Sequence, residues 1–382
     1  MKICIVTDAF LPSVGGIENH VLHLGMALKQ MGHDVLVVTH AIPGHITMAE
    51  QVEPAIPVLR LPGALLVFRD HDIALDPRMF PAFGRVLDEF RPDIVHGQSE
   101  GSLLVYGALA LARRRRVPTV ITRHSIIGAK PRLVRPALHL AARLFSAAAD
   151  GLIAVSRACA LEADGFRGPM KVIPNGVDIT TFSPSPTRRA QTRQEFGYGP
   201  QDIVIGFVGR LHTTKGIPLL FSLFYQLAGA HDHVRLLVAG PGPLRRWAET
   251  QAAGKGTQVR VLGAQPYDRV ARLLNATDVF ALPSRSEGFG ISVLEAMACG
   301  VPSVAFNRWG LKELIDNGRT GLLADSPDQF YCQLESLCTN AQLRQKLGEA
   351  ARRKASEAFC WERVAAETVA FYRELVARPR SE

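Results

Sequence analysis

The 382-residue chain is 47% apolar and 21% charged, with a net charge of +9. It is too long for one comfortable core and points to two domains of an ordinary soluble globular protein. The basic balance favours an anionic partner, but no basic stripe interleaved with aromatics and no zinc module marks nucleic acid as that partner. The six cysteines (Cys4, Cys159, Cys299, Cys332, Cys338 and Cys360) form no CxxC and no His-linked metal spacing, the usage of a reduced, cytoplasmic protein. The longest apolar run, "SLLVYGALALA" at 102–112, falls well short of the ~20 residues that span a bilayer.

"KICIVT" opens the chain as a short β-rich strand, and the acid behind it argues against a secretion signal. After the loop "DAFLPSVGG", Ile17, Val21, Leu24, Leu28 and Met31 recur at helical spacing, and Gly32 ends that helix as a left-handed cap. "DVLVVTH" (34–40) returns as a strand, and further strands are predicted at 93–96, 119–122, 151–155 and 171–173. Alternation of this kind builds a parallel α/β sheet with helices on both faces. At 183–199 the pattern lapses into "SPSPTRRAQTRQEFGYG", which reads as an inter-domain linker and the approach to a second domain. It restarts with a strand at 203–209, a helix at 215–230 and a strand at 234–240, then strands in "VRVLG", "DVFALP" and "VPSVAF". The tail from about Pro327 is helical and ends in an amphipathic helix at 361–377. Two doubly wound α/β domains, 1–185 and 186–360, follow from this order, with ligands expected in the cleft beyond the carboxyl ends of the strands.

Several loops carry candidate chemistry. In "VGGIE", Gly15 and Gly16 let the backbone approach a ligand where a helix begins and offers free N–H groups to phosphate. The spacing is not GxGxxG, and a plain tight turn explains it equally well. In "VGRLHTTKG", Arg210 follows a strand and Lys215 stands where the next helix begins, so a guanidinium fork and a point-charge ammonium could hold a diphosphate; two solvated cations are the bland alternative. His124, just past a strand end, and Asn175, in the turn "PNGVD", are each either cleft residues or ordinary packing. "DHD" at 70–72 formally matches a metal-binding DxD but reads as a solvated loop that no strand clearly presents. "HDH" at 231–233 reads as surface, and neither supports a metal.

The strongest signal is "PSRSEGFGISVLEAMACGVPSVAF", residues 283–306. On one uninterrupted helix, Glu287 and Glu295 would lie roughly 80° apart, a poor shared face. If Gly288 and Gly290 break the chain first, Glu287 sits on a loop and Glu295 in the opening turns of a helix, and both can face one ligand. They could be a glycosidase pair. Yet the backbone N–H groups of Gly288, Phe289, Gly290 and Ile291 at a helix start suit a departing phosphate, which a hydrolase does not need.

Taken together, "GGIE", "TRHS", "IPNGVD", "VGRLHTTKG", "AGPGP" and "EGFGISVLEAMACGVP" resemble, in order and over essentially the whole chain, the retaining glycosyltransferases of family GT4. The resemblance implies a GT-B fold, two Rossmann-like domains facing a cleft, with the final helix crossing back so that 361–382 joins the N-terminal domain. It implies a nucleotide-sugar donor held mainly by the C-terminal domain and an acceptor held mainly by the N-terminal one, with no cofactor or essential metal. Arg210 and Lys215 would hold the diphosphate and Glu295 the ribose. Glu287 and His124 would contact the transferred sugar, the backbone from Gly288 to Ile291 its hydroxyls and the phosphate, and Gly16 the β-phosphate. Within the family the chain looks like the branch that moves N-acetylglucosamine onto phosphatidylinositol, which points to UDP-N-acetylglucosamine. Arg123 and Gln98 depart from that branch, where an acid and a second histidine are usual, and the C-terminal membrane anchor of the eukaryotic enzyme is missing. Other readings are a different donor (UDP-glucose or GDP-mannose), a phosphorylase or sucrose-type enzyme, and a silent sugar-nucleotide-binding protein. Basic residues at 113–116 and 130–145 add an expectation of peripheral contact with anionic membrane at the inner face.

Overall fold

A computed structural model describes every residue except 9, 14, 42–49, 53–55, 63–64, 69–70, 75, 99–101, 127–146, 164 and 379–382; at 50–52, 65–68 and 71–74 it describes the backbone. The chain divides into two compact units, Met1–Gly176 with Trp361–Glu382, and Val177–Cys360.

The first unit contains strands β1 (Lys2–Thr7), β2 (Asp34–His40), β3 (Glu50–Val52), β4 (Ile56–Leu61), β5 (Leu65–Phe68), β6 (His71–Ala74), β7 (Ile94–Gln98), β8 (Thr119–Arg123), β9 (Gly151–Ala154) and β10 (Met170–Val172). Eight of them form one sheet in the order β10-β9-β8-β7-β1-β2-β4-β3, while β5 and β6 pair antiparallel as a separate ribbon. Within the large sheet β3 alone is antiparallel to its neighbour. The apolar stripe read from the sequence places Val21, Leu24 and Leu28 of helix Gly16–Gln30 against Ile3 and Ile5 of β1. The C-terminal helix Trp361–Ala377 completes the same core with Val364, Val369, Phe371, Tyr372 and Leu375. It fits because Gly151 has no side chain: a Cβ there would lie 2.7 Å from Leu375 Cδ1. The strands at 50–74 are additional to the predicted ones, since Pro57 and Arg60 in β4 hide its alternation.

The second unit is a six-stranded parallel sheet, β11 (Ile203–Val208), β12 (Val234–Ala239), β13 (Val259–Leu262), β14 (Val279–Leu282), β15 (Ser303–Phe306) and β16 (Gly321–Ala324), in the order β13-β12-β11-β14-β15-β16. The stretch 183–199, expected as linker, contains the helix Pro186–Phe196. Ser185 Oγ caps it by accepting from Arg188 N, Pro186 opens it, and Gly197 closes it at φ 70°. The helix docks through cations instead of aliphatic side chains. Arg189 and the buried Arg193 reach Asp278 at 2.6 and 3.0 Å, which is why hydrophobic periodicity does not show it. Residues 177–185 also pack on this unit: Val177 N donates to Phe359 O at 2.8 Å, and the buried Phe182 ring stands edge-on to Tyr267 at 4.9 Å. Among the described residues, no helix is long and apolar enough to cross a membrane.

Candidate functional site

In the second unit, β11 is flanked by β12 on one side and β14 on the other, so the sheet changes winding direction between β11 and β14. Crevices outside the strand carboxyl ends at such a point are where doubly wound sheets bind ligands. The two loops that leave there carry Arg210 and Lys215 on one side and Glu287 on the other, and backbone contacts stitch them together. Arg285 N donates to Thr214 O at 2.9 Å. Gly216, at φ 73°, lies so close to Pro283 that a Cβ would stand 2.1 Å from its carbonyl oxygen. This fit brings Lys215 Nζ to 2.5 Å from Glu287 Oε1, which also accepts from the buried Ser284 Oγ at 2.9 Å.

Glycines bind the floor of this loop cluster as well. A Cβ at Gly240 would stand 1.9 Å from Gly209 O, and one at Gly242 2.5 Å from Leu211 O. Gly209 N donates to Ala239 O and Leu211 N to Pro241 O, so "AGPGP" props the loop that carries Arg210. Beyond Glu287, Gly290 adopts φ 102° and caps the helix Ile291–Ala298, whose first-turn N–H groups face outward from a dipole of positive sign. The buried Phe289 turns its ring against Phe359 at 5.7 Å. Glu295 lies one turn into that helix, 7% exposed, and burial pushes its carboxyl up to about 8. Glu287 on a loop and Glu295 on a helix is the geometry expected from the two glycines.

The first unit presents a different chemistry. Gln98 ends β7, and His124 follows β8, its neighbour in the sheet, with Gln98 in register with Thr122. His124 Nε2 lies 2.8 Å from Gln98 Oε1. The His20 ring meets His124 edge-on at 4.9 Å, and His20 in turn meets Trp361 of the C-terminal helix at 5.4 Å. Deeper, His96 contacts Tyr372 Oη at 2.5 Å and Thr122 Oγ1 at 2.6 Å. Burial lowers His20 to about 4 and His96 to about 3, and holds His124 well below the usual histidine range, so these rings are neutral. Asn175 is buried beside His20. Its amide favours the charged ring slightly, yet neither nitrogen of His20 nor Oδ1 of Asn175 completes a hydrogen bond. Gly15 caps the helix Gly16–Gln30 with its backbone extended, and a Cβ there would stand 2.4 Å from Glu18 Oε2. Burial raises that Glu18 carboxyl, in the first turn of the same helix.

The structure thus brings Lys215 and Glu287 together beside the Gly288–Ile291 backbone, with Glu295 buried in the helix that follows, and sets His124 and Asn175 around His20. Sequence reasoning gave Ser284 and His20 no role and met Gln98 only as a departure from a family pattern. For Ser284 and Gln98 the position at or next to a strand end was the available signal, whereas His20 lies within helix Gly16–Gln30. The "DHD" stretch is corrected in part: His71 and Asp72 lie on β6, a strand the sequence did not reveal, while Asp70 is outside the described residues. Of the basic stretch 113–116, all four arginines are exposed, but Arg113 and Arg115 pair with Asp150 and Asp88. Residues 130–145 lie outside the described residues. "HDH" is a turn between a helix and β12 in which His231 pairs with Glu335 at 3.2 Å.

Two doubly wound α/β units, the first completed by the returning C-terminal helix, are the architecture of the GT-B fold. Known proteins give that class its particulars. The Glycosyltransferase Family 4 description matches residues 14–181, and Glycosyl transferases group 1 matches 188–354. A GDP-mannose-dependent alpha-mannosyltransferase of Mycolicibacterium smegmatis is 32% identical over 386 residues, spanning 99% of this chain and 98% of that one. The phosphatidylinositol N-acetylglucosaminyltransferase GPI3 subunit of Saccharomyces cerevisiae is 26% identical over 393 residues, 97% of this chain and 82% of that one. Among solved structures, HepE of Anabaena in complex with UDP superposes with a TM-score of 0.79 at 22% identity, covering 98% of this chain and 100% of that one. The chain belongs to glycosyltransferase family 4 and is a hexosyltransferase.

Proposed function

We propose that this enzyme moves N-acetylglucosamine from UDP-N-acetylglucosamine to a hydroxyl of a lipid, polyol or glycan, retaining the anomeric configuration and using no metal. The observation that carries the site assignment is the Lys215–Glu287 pair, held at 2.5 Å by two glycine-packed loops beside the start of helix Ile291–Ala298. In this reading the bond from the anomeric carbon to the phosphate oxygen breaks, and the departing diphosphate carries the charge. Lys215, Arg210 and the backbone N–H groups at the helix start stabilise that charge as it develops. Diphosphate draws Lys215 away from Glu287, whose carboxylate then faces the sugar. Glu295 accepts from the ribose hydroxyls, and His124 contacts the transferred hexose. As the acceptor oxygen bonds to the anomeric carbon, its proton passes to the departing phosphate oxygen.

The choice of N-acetylglucosamine rests on the likeness to the yeast subunit. A second donor, GDP-mannose, is favoured by the mycobacterial relative, which matches over nearly its whole length. A screen of UDP-GlcNAc, UDP-glucose, UDP-galactose and GDP-mannose, scored by nucleotide release and by the product's mass and anomeric coupling, decides between them. UDP release that is fastest from UDP-GlcNAc supports the reading; faster turnover of GDP-mannose replaces it. Activity is expected to survive EDTA, and a complete loss restored by a divalent ion would end the metal-free mechanism. The reading places the enzyme in the cytoplasm, with its exposed arginines at 113–116 touching anionic lipid. Co-sedimentation with phosphatidylglycerol vesicles at low salt tests that contact, and no binding removes it.

A further inference from the structure

Gln98 is fully buried and sits between two histidines of the first unit, with its carboxamide oxygen 2.8 Å from His124 Nε2 and its nitrogen 3.1 Å from His96 Nε2. An amide nitrogen can only donate and an amide oxygen can only accept, so the amide imposes opposite demands on its neighbours. The amide nitrogen lies 3.1 Å from His96 Nε2 and 3.4 Å from His96 Nδ1, and Thr122 Oγ1 and Tyr372 Oη approach those same nitrogens at 2.6 and 2.5 Å, so either tautomer of His96 finds a partner on each nitrogen. On the other side, His124 must carry its proton on Nε2 to donate to Gln98. Turning the amide over would set its nitrogen against His124 and demand the other tautomer there, so ring and amide act as a unit.

We infer that Gln98 is a positioning residue that fixes His124 in its Nε2–H form, leaving Nδ1 as an acceptor for one hydroxyl of the transferred hexose. The inference rests on the reading that His124 faces that sugar, and it adds the polarity of the contact. The sugar must offer an O–H there, and a group that can only accept cannot replace it. Neutral His124 has one lone pair to offer, and its edge-on neighbour His20 lies against the ring without a hydrogen bond to it. Tyr372 brings the C-terminal helix into the network through its contact with His96 Nδ1.

The test uses full-length protein labelled with ¹⁵N-histidine, whose two-bond proton–nitrogen correlations distinguish the tautomers, with the His124 signals identified by their loss in His124→Asn. Wild type is expected to show His124 protonated on Nε2. Gln98→Met keeps the volume without the hydrogen bond and should give a mixture. With the preferred sugar nucleotide, Gln98→Met should lower kcat/KM about tenfold, the value of one hydrogen bond, while affinity for UDP, which lacks the hexose, stays unchanged. Donor analogues with each hydroxyl replaced in turn by fluorine should reveal one position that costs wild type about tenfold and Gln98→Met little. His124 protonated on Nδ1 in wild type, or an unchanged tautomer in folded Gln98→Met, overturns the inference. A tautomer that responds as expected, together with full turnover in His124→Ala, instead overturns the sugar-contact reading and leaves the Gln98–His124 coupling standing.

Discussion

The two units share one architecture and put opposite chemistries at their strand ends. In the second, the loops after β11 and β14 bring a cation and an anion together, Lys215 and Glu287, both partly open to solvent at 27% and 11% exposure. In the first, the ends of β7 and β8 gather imidazoles that burial keeps neutral. In the proposed reaction the ionic environment would meet the charged leaving group and the neutral one the hydroxyls of the sugar. A doubly wound sheet supplies either, depending on whether its strand-end residues are ionic and wet or polar and dry.

The comparison breaks most visibly at Lys215. Removing its ammonium should lower kcat about 10²–10³-fold in Lys215→Ala, the range for a lost electrostatic contact to a charge that develops in the transition state. Turnover within a few fold of wild type would take Lys215 out of the reaction. Glu287→Gln separates the two partners of the pair. With Lys215 released from its carboxylate, UDP should bind about two- to fivefold more tightly by calorimetry, the value of a partly exposed ion pair, even though turnover falls. Unchanged or weaker UDP binding would show that the pair does not compete with diphosphate.

Glu295 sharpens the contrast through pH. Its carboxyl stands at about 8 in the folded protein because of burial, against an ordinary value of 4.5. A raised carboxyl binds its proton more tightly folded than unfolded. Its contribution to stability is therefore complete below pH 4.5 and is lost as pH rises through about 8. The denaturation midpoint should decline over that window in wild type and flatten in Glu295→Gln. If ribose hydroxyls donate to this group, nucleotide binding at pH 7 should also release protons, visible as a dependence of the calorimetric heat on buffer. The smallest effect belongs to the neutral side. Tyr372→Phe removes one buried hydroxyl from His96 and should cost about 1 kcal/mol of stability by denaturant titration, with UDP affinity unchanged.

Much of this was legible before any coordinates. The break at Gly288 and Gly290 separates Glu287 from Glu295 as their spacing required, because a left-handed residue at a helix start is written as glycine. Apolar runs and helical spacing gave both sheets' main strands and the C-terminal helix. What stayed hidden depended on contacts distant in sequence. The helix Pro186–Phe196 packs through Arg189 and Arg193 onto Asp278, so its buried face looks polar on paper. Gln98 showed only as a departure from a family pattern, since its meaning comes from a histidine one strand over and a tyrosine 276 residues from His96 in the chain. Ser284 supports Glu287 only because the loop folds back over three residues.

The central claim is that diphosphate is held in the second unit by Lys215 and the start of helix Ile291–Ala298. A crystal structure of the protein with UDP tests it most directly. The β-phosphate is expected within hydrogen-bonding distance of Lys215 Nζ and of backbone N–H groups between Gly288 and Ile291, with the Lys215–Glu287 pair opened. UDP bound elsewhere, with that pair still closed, would contradict the account.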